Sequence, residues 1–174
     1  GTGRVSFQPS DLIVDGQLSR SQKSMLNRRL NLIKLSGVTK IALNCDHEVL
    51  CNKDNYPNAP QNAINYKGKP EEWVKLFKAT VEHCRASGFE VISISPFNEP
   101  DYTAWNQGTV QDFYNIIKLM REDSFFDGIR ICGGNTLNCD EALKWYNQLK
   151  EYLDEGNTHQ LAGVFDTYAG FFSQ

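Results

Sequence analysis

Hydrophobic residues recur along the chain in two spacings: short runs typical of β-strands and repeats of three to four residues typical of helices. The short runs predict five strands, at Arg4–Gln8, Val38–Asn44, Phe89–Ser95, Ile129–Gly133 and Leu161–Tyr168. The repeats predict four helices between them: Ser21–Ser36, one from Pro70 to a stop before Gly88, one capped by Thr109 and Asp112, and one capped by Asn138 and Glu141 and ended by Gly156. Strands and helices therefore alternate along nearly the whole chain.

This alternation predicts a parallel α/β sheet, because parallel neighbours need a crossover connection, usually a helix. Two architectures fit: an open doubly wound sheet, or an arc of a (β/α)8 TIM barrel. In both, the polar loops after the strands meet at one edge of the sheet. No glycine-rich phosphate loop follows any strand, and the CGGN segment at Cys132–Asn135 has neither the spacing nor the lysine of one. We therefore expect no nucleotide cofactor.

The composition fits one domain with a hydrophobic core, since the chain has 174 residues and is 40% hydrophobic. The net charge of -3, without a run of Lys or Arg, argues against nucleic-acid or anionic-membrane partners. No apolar run has the roughly 20 residues that cross a bilayer. The first residues do not resemble a signal peptide and the chain starts without Met, so we expect a processed protein or a piece of a longer one. The sequence leaves its localisation open.

The five cysteines are too sparse for a disulfide scaffold and include no CxxC motif. Cys84 and Cys132 fall on a helix face and in a strand, where burial is usual. Cys45 and Cys51 flank a loop, and in an oxidising compartment this pair is the candidate disulfide. That loop belongs to a long polar connection of about 25 residues after the second strand, a length that is often functional.

The segment ISISPFNEPDY, Ile92–Tyr102, ends a predicted strand at an Asn-Glu-Pro corner. Glu99 thus follows the C-terminal end of a strand, where barrel enzymes collect catalytic groups. The tripeptide alone also fits an ordinary acidic turn, so its surroundings decide between the two interpretations.

SPFNEPDY resembles the fourth-strand signature of the clan A glycoside hydrolases, retaining (β/α)8-barrel enzymes, and is most similar to family 30 and related groups. The resemblance implies that residues 1–174 form part of such a catalytic domain, spanning strands two to six. Glu99 would be the general acid and base that protonates the departing oxygen of a polysaccharide or oligosaccharide. Asn98 would hydrogen-bond the sugar hydroxyl next to the anomeric carbon.

The same register places Arg4 at the end of the second strand, Asn44–His47 at the end of the third and Tyr168 at the end of the sixth. The nucleophile, a Glu on the seventh strand, would be missing, because Glu141, Glu151 and Glu155 are expected on or beside a helix. We therefore expect this chain alone to be inactive on glycosides. Its two sheet edges would be unpaired and would associate with the rest of the barrel or with another copy. An enzyme of this family is expected to be secreted, periplasmic or on the cell surface.

Further candidates for sugar binding lie in the loops. Asp46 or His47 would hydrogen-bond a sugar, whereas a metal is not expected there because adjacent strand residues point to opposite faces. Trp105, after Glu99, either stacks on a sugar ring or packs under its loop. Tyr168 either orients the missing nucleophile or closes the barrel core, and Arg4 has the same orienting role from the other side.

The remaining histidines, His83 and His159, are expected to be structural or solvated, and Trp73 and Trp145 to be core residues. Two other functions stay open. One is a non-catalytic carbohydrate-binding or scaffold domain of the barrel type, which a seventh-strand Glu in a longer parent sequence would exclude. The other is an unrelated α/β enzyme such as a metal-dependent hydrolase, which metal bound at Asp46 and His47 would favour.

Overall fold

The computed structural model of the protein describes residues 1–8, 16–46, 66, 68–105 and 107–173, except for the side chain of Trp105. The strands in these residues are β1 (Thr2–Phe7), β2 (Lys40–Cys45), β3 (Glu90–Ser95), β4 (Arg130–Asn138) and β5 (Glu155–Ala162). The α-helices are α1 (Arg20–Leu35), α2 (Pro70–Ala86), α3 (Val110–Glu122), α4 (Ala142–Leu149) and α5 (Phe165–Phe171).

The five strands lie side by side in the order in which they occur in the sequence, and each neighbouring pair is parallel. A doubly wound sheet reverses its strand order at a switch point, whereas each strand here adds to the same side. The sheet is therefore a parallel half-barrel, and the predicted parallel α/β architecture is confirmed. All strands end at one rim, which collects the loops that follow them.

The two faces of the sheet differ in polarity. The face under the helices carries buried apolar side chains, among them Val5, Phe7, Ile41, Leu43 and Ile131. Trp73 and Trp145 lie in the same core, as predicted, with 2% and 6% of their surface exposed. We call the opposite face the inner face; residues that line it include Arg4, Asn44, Arg130, Glu155, Asn157 and His159.

The predicted helix starts at Pro70 and Thr109 are confirmed. Pro70 opens α2, where its missing N–H costs nothing. Thr109 and Asp112 form a complete capping box, in which each side chain accepts a hydrogen bond from the other residue's backbone N–H.

The prediction was wrong near the C-terminal end of the chain. The apolar run Leu161–Tyr168 is not a strand: β5 ends at Ala162, and Tyr168 lies on α5. The break falls at Gly163, whose φ is +95° and whose absent Cβ would lie 2.5 Å from Oδ1 of Asn138. The chain turns out of the sheet at this positive φ, and only glycine fits there because a Cβ atom would clash with Asn138.

The fourth helix also differs from its prediction. Asn138 caps a short 3-10 turn, Cys139–Glu141, rather than forming a capping box with Glu141, and α4 ends at Leu149. Gly156 does not end the helix but lies in β5. Glu155, expected beside a helix, is the first residue of that strand.

Candidate active site

Glu99 lies at the rim, four residues beyond the end of β3, with an unusual backbone. Its φ is +53°, a left-handed conformation that costs a non-glycine residue about 1–2 kcal/mol. The Glu99 N–H donates to the carbonyl of Asn135 at 2.9 Å, and its carbonyl accepts from Tyr102 N–H at 3.1 Å. The side chain is only 8% exposed. The carboxylate is therefore held inside the protein rather than turned into solvent.

Glu99 contacts His159 of β5. Oε1 of Glu99 and Nδ1 of His159 are 2.6 Å apart, which is a short hydrogen-bonding distance. The histidine side chain is 27% exposed and so reaches both the carboxylate and solvent. The predicted turn at His159 was wrong, because the residue lies on β5; its predicted structural role agrees with the contact to Glu99.

Asn98 lies in a network of side-chain amides. Its Oδ1 accepts from Arg4 Nη2 and Asn44 Nδ2, each at 3.3 Å, and from Asn135 Nδ2 at 3.5 Å. Among the described residues, Nδ2 of Asn98 has no hydrogen-bond partner. It is therefore the donor that this buried side chain can offer to a ligand.

Gln107 fixes the backbone of the same corner. Its Oε1 accepts the Asn98 N–H at 2.9 Å, while its Nε2 donates to the carbonyls of Cys45 and Asp46 at 3.3 and 3.2 Å. A buried amide thus ties the loop after β3 to the end of β2. This role of Gln107 could not be predicted from the sequence, because an isolated Gln in a polar loop has no distinguishing pattern.

An open pocket of about 460 Å³ lies along the inner face, and all five strands contribute to its lining. Arg4, Asn44, Asn135 and His159 line the part near the rim. At the opposite ends of the strands, Arg130 pairs with Glu155 at 2.6 Å and Lys40 with Glu90 at 3.5 Å. The Arg130–Glu155 pair lines the pocket at the end far from Glu99, and Ala42, Leu43 and Ile92 add apolar surface to a lining that is otherwise mostly polar.

Cys132 lies on the inner face beside that far ion pair. Burial raises the pKa of its thiol to about 12, and the Glu155 carboxylate adds to the shift. The Cys132 thiol is therefore protonated at neutral pH and is not a candidate nucleophile.

The structure brings together only part of the predicted site. Arg4 and Asn98 are in contact, although Arg4 lies in the middle of its strand rather than at its end. Asp46 directly follows β2, and its backbone carbonyl accepts a hydrogen bond from Gln107 Nε2. Tyr168 lies on α5 with its ring 5.1 Å from that of Phe172, away from the strand end that its predicted role required. His47, the Trp105 side chain and Cys51, hence its pairing with Cys45, lie outside the described residues.

No family model and no curated protein sequence matches the chain. The fold is similar to that of a solved structure, a conserved exported protein from Bacteroides fragilis, with a TM-score of 0.61 and 17% sequence identity. The match covers 82% of this chain but 35% of the other, so this chain spans about a third of that protein's length. At this identity the likeness establishes the fold alone.

Two features of the described part of the chain bear on other functions. None of its helices has the length and apolar character required to span a bilayer. Nor does that part contain three or more His, Cys, Asp or Glu side chains grouped as metal ligands.

Proposed function

We propose that Glu99 is the general acid and base of a retaining glycoside hydrolase of the clan A type, and that this chain is part of its (β/α)8-barrel catalytic domain. The substrate is a polysaccharide or oligosaccharide. The observation that carries the proposal is the buried Glu99 carboxylate, held at the rim of a parallel half-barrel with an imidazole nitrogen 2.6 Å away. An ordinary acidic turn residue would be exposed and would not need a strained backbone.

The chemistry requires a proton donor at this position. A glycosidic oxygen is a poor leaving group, so Glu99 protonates it, and in the second step the same carboxylate takes a proton from the attacking water. His159 contacts Oε1 and so orients the carboxyl group, leaving the second oxygen for the substrate. The polar pocket beside it accommodates the hydroxyl groups of a sugar.

Asn98 is the proposed contact to the hydroxyl next to the anomeric carbon. Its Oδ1 already accepts from Arg4, Asn44 and Asn135, so the amide plane is fixed and Nδ2 is presented as a donor. A donor held in this way strengthens its bond as charge develops on the sugar in the transition state.

The second carboxylate of the reaction must lie about 5–5.5 Å from the first in a retaining enzyme. Glu155 does not meet this requirement, because four residues of extended strand separate it from His159, about 13 Å along β5. In the proposed register the nucleophile belongs to a seventh strand. We therefore expect the purified 174-residue chain to bind sugars without hydrolysing them; turnover that Glu99→Gln abolishes would overturn this assignment.

The buried Glu99 carboxylate at the rim also favours a second candidate, a non-catalytic carbohydrate-binding or scaffold domain of the barrel type. The two candidates differ in whether the full gene product that carries this sequence cleaves glycosides. Both predict saccharide-induced shifts of the Asn98 and Glu99 amide resonances in this chain.

The edge strands β1 and β5 each have one side without a strand neighbour in the described sheet. Exposed apolar side chains lie at the end of β5 and in the segment after it, including Leu161, Phe165 and Phe172, with 71%, 63% and 58% of their surface accessible. We propose that further strands of the barrel, or a second copy of the chain, cover these edges. An extracellular or periplasmic location also fits, since the structural neighbour is an exported protein.

The deciding experiment compares Glu99→Gln with the unchanged protein in the full gene product. On natural glycosides we expect kcat/KM to fall about 10²–10⁴-fold, the range for a lost general acid. On dinitrophenyl glycosides, whose leaving group needs no proton, bond cleavage should be nearly unaffected. Glu151→Gln, which removes an exposed carboxylate, is the control. Equal losses on both substrates, or none, would refute the role of Glu99.

A further inference from the structure

Asn135 lies on the inner face, where its side chain makes several hydrogen bonds, and is only 1% exposed. Its Nδ2 donates to the Phe97 carbonyl at 2.7 Å and to Asn44 Oδ1 at 2.9 Å. Its own carbonyl accepts the Glu99 N–H at 2.9 Å. One residue thus holds the backbone on both sides of Asn98.

The same residue is joined to β5. Its backbone N–H donates to Asn157 Oδ1 at 2.7 Å, and its Oδ1 accepts from Asn157 Nδ2 at 3.1 Å. Asn157 precedes His159 by two residues, so both side chains point to the same face of the strand. Asn135 therefore connects the segment that carries Glu99 to the strand that carries His159.

The backbone of Asn135 is specialised for this position. Its φ is +50°, and in the described residues only Glu99 and Asn135 are non-glycine residues with positive φ. Between Gly134 and Thr136 the register with β5 shifts, so that Asn135 is the extra residue of a β-bulge. A bulge redirects a side chain and is frequent beside active sites. The two residues with left-handed φ, Glu99 and Asn135, are hydrogen-bonded to each other through their backbones. Two such costly conformations in contact indicate a local geometry that the surrounding structure maintains.

We propose that Asn135 is a positioning residue, which sets the Glu99 carboxylate against Nδ1 of His159. This inference rests on the proposed role of Glu99. The position requires a residue that tolerates left-handed φ and carries both an N–H donor and a carbonyl acceptor. Asn meets these conditions, whereas Gly lacks the amide and Asp lacks the donor.

The first test measures geometry in the purified 174-residue chain at one fixed pH. The protein has three histidines, so the ring nitrogens of His159 can be assigned in 15N-histidine-labelled samples by comparison with His159→Gln. Asn135→Gly preserves the backbone conformation and removes only the side chain. We expect it to move the Nδ1 resonance by at least half the displacement that Glu99→Gln causes.

Thr136→Val is the matched control. Thr136 is fully buried next to Asn135, and its hydroxyl is 2.7 Å from that of Thr158, so the variant also removes a buried hydrogen bond from β4. It should leave the Nδ1 resonance in place. If Asn135→Gly does not fold, Asn157→Ala decides, because it cuts the link to β5 alone and should displace the same resonance. An unmoved resonance in the folded variant, or an equal displacement by Thr136→Val, would overturn the proposal.

The second test uses hydrolysis by the full gene product. Asn135→Gly should lower kcat at least tenfold with a smaller change in KM, since it misplaces Glu99 and removes one of the contacts that fix Asn98, whose bond to the sugar strengthens in the transition state. If no variant and no parent protein hydrolyses glycosides, the proposed function fails, while the resonance still reports whether Asn135 positions Glu99. If the resonance moves and kcat does not, Asn135 does not act on the reaction.

Discussion

Alanine at Glu99, at His159 and at both should reveal that these two side chains stabilise the fold as a coupled pair. A hydrogen bond with a charged partner contributes about 1.5–3 kcal/mol. The 2.6 Å contact and the 8% exposure of the Glu99 side chain favour the upper part of that range, but the histidine side chain is 27% exposed and solvent screens it. We therefore expect a coupling energy of about 1.5 kcal/mol.

Urea unfolding of the four proteins at pH 7 measures this coupling. Alanine and glutamate have similar difficulty with left-handed φ, so the cycle does not mix backbone strain with the side-chain contact. The control cycle pairs Glu99 with Thr158, which faces the other side of β5 and contacts Thr136. That cycle should be additive within about 0.5 kcal/mol. A Glu99–His159 coupling that is no larger than the control value would refute the contact as a stabilising interaction.

Three further predictions concern the sheet and its helices. Gly134→Ala should destabilise the fold by roughly 3 kcal/mol in urea unfolding, since its φ is +85° and the new Cβ would lie 2.8 Å from the Asn157 carbonyl oxygen. Gly37 also has a positive φ but has open space around it, so Gly37→Ala should cost about 1 kcal/mol. Equal costs for the two variants would contradict the predicted clash at Gly134. Burial raises the pKa of the Cys84 thiol from 9.0 to about 12. The unfolded thiol then ionises first as pH rises, so stability should fall by up to about 1.4 kcal/mol per pH unit above pH 9, and Cys84→Ala should show a shallower decline; identical slopes would argue against the shift. Thr109→Ala should cost about 1 kcal/mol by removing the α3 cap, which an unchanged urea midpoint would exclude.

The sequence was most informative where one face of an element is apolar. β1 to β3 and the first three helices have alternating or helical apolar positions, and their bounds agree with the structure to within about two residues. The position of Glu99 beyond a strand end followed from the same pattern. Its burial could not be predicted, because it depends on contacts with Asn135 and His159, which are 36 and 60 residues away in the sequence.

β5 was missed because its sequence, EGNTHQLA, has almost no apolar signal. One of its faces carries Glu155, Asn157 and His159, and on the other only Thr158 is buried. The nearby apolar residues belong instead to the turn and to α5. An alternation of polar residues every second position was the available signal, but hydrophobicity alone does not detect it.

The polar residues of the inner face made β5 hard to predict from hydrophobicity, and the same residues form the candidate site. The interior of a (β/α)8 barrel is usually filled by branched apolar side chains, and a strand with such residues would have been recognised from its pattern. Here the inward positions carry Arg4, Asn44, Asn157 and His159. Instead of packing against each other, these side chains hydrogen-bond to Asn98, Asn135 and Glu99. Because these side chains come from strands rather than loops, they anchor Asn98 and Glu99, which lie in the loop after β3, to rigid elements, as the proposed proton transfer would require. The residues that weaken the hydrophobic pattern of β5 are therefore among those that build the candidate site.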